Sequence, residues 1–155
     1  MSEQKIKKLS DLERIKKEYL SNLEKYKYQV LVCSGAGCVS SDCGLVKDAI
    51  IEEIKANNLQ DDVLVTETGC MGTCAVGPVI LILPDRTFYT ELTPETAKDV
   101  IKSHIVNGKV LTEHTFFDVS LNKRVPKIDD IEFFKSQVRI TLRNCGIIEY
   151  KNIGA

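Results

Sequence analysis

The chain contains no tryptophan, two histidines and two methionines in 155 residues, and its 21 basic and 22 acidic side chains almost cancel. With no excess of one charge sign, there is no global field to draw nucleic acid or an anionic lipid surface. The longest aliphatic run, Val79 to Leu83, falls far short of the roughly 20 residues that cross a bilayer. Residues Met1 to Lys8 are polar and basic with no apolar stretch behind them, so no secretory signal is expected. No G-x-G-x-x-G, Walker-type loop or glycine-rich flavin motif occurs, which argues against a nucleotide site within this chain. Neither His104 nor His114 joins a recognisable Ser-His-Asp or paired-carboxylate arrangement, and surface or capping roles are expected for both. These absences leave a soluble, cytoplasmic protein with neither nucleic acid nor membrane as a partner.

The length suits one domain, and the 43% hydrophobic and 28% charged fractions are ordinary for a globular one. The cysteines are not ordinary. Five of the six (Cys33, Cys38, Cys43, Cys70 and Cys74) fall between residues 33 and 74, with Cys145 apart. In a reducing compartment, thiols packed this densely point to metal ligation or redox chemistry rather than disulfides.

Periodicity lays out the elements around them. Residues 1–27 read as a helix. Ser10 and Glu13 form a capping box there, and Leu12, Ile15, Tyr19 and Leu23 form one apolar stripe. Tyr28 to Val32 is a short strand that ends at Cys33. The Gly- and Ser-rich stretch from Ser34 to Gly44 predicts an irregular loop. Val46, Ala49, Ile50 and Ile54 recur at helical spacing, and Val63 to Val65 form a second strand, completing a βαβ unit with parallel strands. Val79–Leu83 and Thr87–Glu91, separated by Pro84-Asp85-Arg86, predict an antiparallel hairpin. Thr93 caps a third helix with Pro94 at its first position, and Asn107-Gly108 ends it. The order β-α-β-β-β-α predicts an α/β, thioredoxin-like sandwich with a four-stranded mixed sheet, an N-terminal helix and a C-terminal extension. In the extension, the pairs Phe116-Phe117 and Phe133-Phe134 are too apolar for a free tail. Ile131, Phe134, Val138 and Leu142 predict a short helix there, although an alternating strand fits them as well. Lys123, Arg124 and Lys127 read as a solvated basic stretch.

Cys33 and Cys38 make a C-x4-C pair, and Cys70 and Cys74 a C-x3-C pair. Each follows a strand, and neighbouring parallel strands end on the same edge of a sheet, where ligand sites form. The topology therefore brings four sulfurs together. Six of the nine glycines (Gly35, Gly37, Gly44, Gly69, Gly72 and Gly77) sit in or beside these two loops, where small residues let amides turn toward one centre. Met71, Ala75, Val76, Pro78 and Val79 are expected to form a partly apolar collar. Four cysteines suit a 2Fe-2S or 4Fe-4S cluster or a structural zinc. The absence of any C-x2-C speaks against a zinc knuckle, a thioredoxin-type dithiol and the bacterial 4Fe-4S run, so two well-separated pairs fit 2Fe-2S best. By spacing alone, Cys43 could stand in for Cys38, and Cys145 reads as a small buried apolar residue.

The stretches Cys33-Ser-Gly-Ala-Gly-Cys38-Val-Ser-Ser and Thr68-Gly-Cys70-Met-Gly-Thr-Cys74-Ala-Val-Gly-Pro78 resemble the thioredoxin-like 2Fe-2S ferredoxin family, which includes the small ferredoxin subunit of respiratory complex I. They are more similar still to the N-terminal region of the flavoprotein (beta) subunits of NAD(P)-linked and electron-bifurcating iron-only hydrogenases. The tail Phe133-Phe-Lys-Ser-Gln-Val-Arg-Ile-Thr-Leu-Arg-Asn-Cys-Gly146 resembles the segment leading into their flavin- and NADH-binding domain. The resemblance implies Cys33, Cys38, Cys70 and Cys74 as cluster ligands, favouring Cys38 over Cys43. It also implies a one-electron carrier between a flavin–NAD(P)H domain or subunit and the iron–sulfur subunits of a hydrogenase or dehydrogenase. The expected division is a helix at 1–27, a ferredoxin domain at 28–110 and, at 111–155, an extension resembling the linker into a flavin domain that the chain does not contain. Two rival readings are a zinc-stapled interaction module and a thiol–disulfide oxidoreductase.

Overall fold

The computed structural model describes residues 6–140 and 143–148. Four strands build the main sheet: β1 (Tyr28–Cys33), β2 (Val63–Thr68), β3 (Ile80–Leu83) and β4 (Thr87–Tyr89), in the order β2-β1-β3-β4. β1 runs parallel to β2, with Cys33 opposite Thr68, and antiparallel to β3, with Val32 opposite Ile80. β3 and β4 form the expected hairpin. The mixed four-stranded sheet predicted by the pattern is therefore present, with its third and fourth strands a residue or two shorter than expected.

Side chains of a strand alternate between faces, and both faces of this sheet are covered. Val30 and Val32 of β1, with Ile80, Ile82 and Tyr89, pack beneath α3 (Cys43–Ala56) and α4 (Pro94–Val100). Val46, Ala49, Ile50 and Ile54, the predicted stripe, are the buried side of α3. α4 begins as its sequence demands: the Thr93 hydroxyl accepts the Thr96 N–H at 3.3 Å, and Pro94 occupies the first turn. Its continuation, Ile101–Val106, widens into a π-helical turn. That turn carries His104 inward, where it is buried against Tyr89 and Asp85, not left at the surface as expected.

Leu31, Cys33, Leu81 and Phe88 point to the opposite face. There the C-terminal extension does the covering, with Val125, Ile128, Ile131 and Phe134 packed onto them. The extension also pairs with the free edge of β4: the Phe88 and Thr90 amides donate to Pro126 and His114 carbonyls at 2.8 and 2.9 Å, and Ile128 N–H donates to Arg86. Between these anchors a small hairpin, β5 (Phe116–Asp118) with β6 (Lys123–Val125), projects outward. The predicted helix near the end is a single turn, α5 (Glu132–Lys135); Val138 is exposed beyond it, and Leu142 lies outside the described residues. The basic stretch is not simply solvated. Arg124 donates to the Thr115 carbonyl at 2.6 Å and lies over the Phe117 ring, and Lys127 reaches the Asp85 carbonyl and carboxylate.

At the other end of the chain, α1 (Leu9–Leu23) starts one residue before Ser10. The chain entering it is held not by the Ser10–Glu13 box but by the Asp11 carboxylate, which accepts the N–H groups of Lys7 and of the N-cap Lys8 at 2.9 and 3.0 Å. Ile15, Tyr19 and Leu23 are half-buried, Leu12 is exposed, and Tyr19 and Leu23 form a groove with Ile51 and Leu64 beside the edge of β2.

Candidate metal centre

Because β1 and β2 are parallel, Cys33 and Thr68 end side by side, and the chain leaves both strands at the same edge. After β1 the expected irregular loop contains a helical turn, α2 (Ala36–Ser40), with Cys38 buried inside it. Glycine at 35 and 37 marks the loop as flexible, yet Ala36 and Val39 can continue a turn once Cys38 has apolar surface to face. After β2, residues Gly69 to Thr73 loop out, and Cys74 opens a 3-10 turn, Cys74–Val76.

The two loops interlock at their glycines. A Cβ on Gly35 would lie 2.8 Å from Cys70 Cβ, one on Gly37 2.8 Å from Cys74 Cβ, and one on Gly77 3.0 Å from Cys38 Sγ. Side chains at these positions would hold the loops apart, so glycine is what lets the cysteines meet. Cys33 and Cys38 are buried, whereas Cys70 and Cys74 are exposed. Cys33 shares hydrogen bonds with Cys38 and Cys70, and Cys70 Sγ lies 3.6 Å from Cys74 Sγ. Among the described residues no three His, Cys, Asp or Glu donors are gathered around a single metal-ion position. The thiols instead form a chain, Cys38–Cys33–Cys70–Cys74, with one pair from each loop.

Backbone amides point into this chain. Gly72 N–H donates to Cys70 Sγ at 3.3 Å, and the Gly35 and Met71 amides donate to Cys33. The Cys38 thiol's hydrogen bond, helped by these amides and opposed by burial, pulls the Cys33 thiol down to about 6. Cys38 is pushed far up, because it keeps the shared proton and because it is buried. Burial also raises Cys70, against the pull of the Gly72 amide. One thiolate sits readily in the buried pair, and a metal's positive charge would be needed to deprotonate Cys38 and Cys70. Four cysteines in two pairs, with amide donors on the sulfurs, fit the donor set and hydrogen-bonding that a 2Fe-2S cluster requires.

The remaining cysteines differ from expectation in one respect. Cys43, the first residue of α3, is buried within the second core group, and burial raises its thiol above the ordinary value. Cys145 does not lie away from the cluster loops. It is half-buried, 4.0 Å from where a Gly69 Cβ would stand, and lines one surface pocket with Cys70 and Gly72. Of the expected collar, Met71, Pro78 and Val79 are buried and Val76 half-buried, but Ala75 is exposed.

The family model of the thioredoxin-like [2Fe-2S] ferredoxins matches residues 18–104, more than half of the chain. The chain belongs to this family. A 2Fe-2S ferredoxin from Clostridium pasteurianum is 28% identical over 93 residues, covering 55% of this chain and 91% of that protein. Another from Aquifex aeolicus is 30% identical over 73 residues, covering 46% of this chain and 66% of its own. The crystal structure of the thioredoxin-like [2Fe-2S] ferredoxin from Aquifex aeolicus superposes with a TM-score of 0.53 at 26% identity, covering 57% of this chain and 95% of that one. The chain is thus an electron carrier of the thioredoxin-like 2Fe-2S ferredoxin type. The family match ends before the extension, whose contribution to the centre through Arg139, Cys145 and Gly146 was not foreseen. No spacing rule links those residues to cysteines so far away in sequence. Among the described residues no helix is long and apolar enough to cross a membrane.

Proposed function

We propose that Cys33, Cys38, Cys70 and Cys74 are the four ligands of the 2Fe-2S cluster, one pair to each iron. The observation that carries this assignment is the interlocking of the loops at Gly35, Gly37 and Gly77, which brings these four sulfurs into one chain. When bound, the cluster takes up and gives back single electrons. The residues around it hold the two pairs in register, donate amide hydrogens to sulfur and keep water from the buried pair, while the exposed pair marks the side from which a redox partner approaches. On this reading the partner is a flavin–NAD(P)H domain or subunit, with iron–sulfur hydrogenase or dehydrogenase subunits beyond it, in the cytoplasm. The similarity of the cysteine motifs and of the tail from Phe133 to Gly146 to hydrogenase flavoprotein subunits supports this. With no nucleotide motif among these residues, this reading puts the flavin site on the partner.

The first test is the iron, acid-labile sulfide and zinc content of anaerobically purified protein. Two irons and two sulfides per chain with a red-brown colour are expected. One zinc and no colour would make the site a structural staple, and no metal with a titratable dithiol would make it a thiol–disulfide centre. The partner assignment is tested by adding NADH to the loaded chain with and without a hydrogenase flavoprotein subunit. Reduction only in its presence is expected, and reduction in neither case rejects the assignment.

A further inference from the structure

Residues beyond the family match supply part of the wall of the centre. The Arg139 guanidinium lies over the Phe134 ring, 5.4 Å from its centroid; its Nε donates to Gln137 Oε1 at 3.1 Å and its Nη2 to the Met71 carbonyl at 2.7 Å. That carbonyl and the Gly72 N–H belong to one peptide group, and the Gly72 N–H donates to Cys70 Sγ at 3.3 Å. Guanidinium, peptide and sulfur therefore form a continuous relay. Hydrogen bonds in series polarise one another, so a cation on the carbonyl makes the N–H a stronger donor. The packing admits the relay closely. Gly72 has φ +95°, and a Cβ there would stand 3.2 Å from Arg139 Nη2; Met71 is buried, and a Cβ on Gly146 would come within 2.7 Å of its Cγ.

We propose that Arg139 is a positioning residue for Cys70: through the Met71–Gly72 peptide it strengthens the N–H···S bond to that sulfur, and it holds a fixed positive charge beside the centre. The inference rests on the ligand set proposed above. Reduction adds one electron and one negative charge, and both the polarised donor and the cation stabilise the more negative state. Arg139 thereby raises the reduction potential. Half-buried and held by three partners, its charge is neither free to swing away nor fully screened.

The test is the midpoint potential of the iron-loaded full chain, followed in the visible spectrum, for the wild type, Arg139→Gln and Arg139→Lys. At a fixed applied potential the ratio of oxidised to reduced Arg139→Gln is expected to be about tenfold above wild type, from a unit charge at an effective dielectric near 20. That is a fall of about 59 mV for one electron. Arg139→Lys should recover at least half of it, and added salt should lower the wild-type potential more than that of Arg139→Gln. A merely structural role would reduce iron content in both variants alike and leave the potential of the loaded fraction unchanged. An Arg139→Gln chain that carries two irons and titrates at the wild-type potential overturns the inference and leaves the ligand assignment standing. A wild-type chain without two irons overturns both. Should Arg139→Gln not load, Arg139→Lys decides: loading with a near wild-type, salt-sensitive potential supports the proposal, and failure to load, or indifference to salt, overturns it.

Discussion

At one end of the sheet, where β1 and β2 finish, four thiols meet; toward the other, where β1 begins and β3 turns into β4, Asp85, Tyr89, His104 and Lys127 meet. The second group largely satisfies itself. Tyr89 accepts the Leu111 N–H at 3.3 Å and so turns its own proton to His104 Nδ1 at 2.9 Å. The other ring nitrogen then carries the hydrogen and donates to Asp85 Oδ2 at 3.1 Å, an oxygen that also takes the Thr87 hydroxyl at 2.6 Å and faces Lys127 at 3.4 Å. Within this group Asp85 Oδ1 alone is buried without a partner; the other such atom among the described residues, Thr73 Oγ1, lies at the cysteine end. The thiols have weaker partners, one another and the Gly35, Met71 and Gly72 amides: sulfur is a weak donor and acceptor, and the Cys70–Cys74 contact is 3.6 Å. Polar atoms matched in strength stabilise a fold as they stand, whereas weakly partnered thiols form a site that gains its stability when something binds. Both ends are polar clusters at sheet termini, and partner quality alone separates structure from function.

Removing a sulfur should break this contrast most sharply. Cys38→Ser and Cys74→Ser are both expected to lose the visible spectrum and both irons, while the far end stays intact in each. They should differ in the metal-free chain. A serine hydroxyl at buried Cys38 is more polar than the thiol it replaces and keeps only the weakly accepting Cys33 sulfur and the Val79 amide as partners, which should cost about 1–3 kcal/mol. At exposed Cys74 the change should stay within about 0.5 kcal/mol. Urea unfolding of the two metal-free variants measures the difference, and equal midpoints would mean that the two pairs are not unequal in burial.

Next in size is the glycine cradle. An added methyl at Gly35 meets Cys70 Cβ at 2.8 Å and its Cα at 3.1 Å, so the loops must separate; a methyl at Gly44 meets nothing within 4 Å. Gly35→Ala should therefore lose most of its iron, and Gly44→Ala should keep all of it with stability unchanged or slightly higher. Iron per chain after anaerobic reconstitution decides. A fully loaded Gly35→Ala chain would show that close approach of the loops is not what assembles the centre.

The cluster end was far more legible in the sequence than the end built around His104. Parallel strands, four cysteines at their carboxyl ends and glycines among them are local signals, and the sheet follows from the short apolar runs Val30–Val32 and Val79–Leu83. The structure departs where tertiary contacts decide. Residues 36–40 look irregular by composition but form a turn because Cys38 faces the core. His104 sits in a helix whose stripe gives no hint of a π-turn, and only that turn carries its ring to Tyr89 and Asp85. Met71 and Arg139 are 68 positions apart, a separation over which no pattern speaks. The second face of the sheet is likewise covered by aromatic and aliphatic residues whose partners alternation cannot name, Phe134 against Phe88 among them.

The smallest effect concerns acid, and it belongs to the far end. Burial pushes His104 below its ordinary value near 6.5, the neighbouring Asp85 pulling only partly the other way. A base held neutral in the fold takes up its proton more readily when unfolded, so its contribution is complete above pH 6.5 and shrinks as pH falls below that value toward the folded pKa. Asp85 and Tyr89, which face the ring, do not change protonation across this window. Burial works against Asp85, but the Thr87 hydroxyl, His104 and Lys127 keep its carboxyl below the ordinary carboxylate value, and burial keeps Tyr89 protonated. Cys33, pulled down to about 6 by Cys38, contributes a loss of the same sign in the metal-free chain, so a single pH series does not separate the two. The difference between wild type and His104→Gln does. Between pH 7.5 and 5.5 the urea midpoint of the metal-free wild type should fall further than that of His104→Gln, the excess being the histidine's share. Parallel falls would mean that the ring is already protonated in the fold, with Tyr89 donating elsewhere.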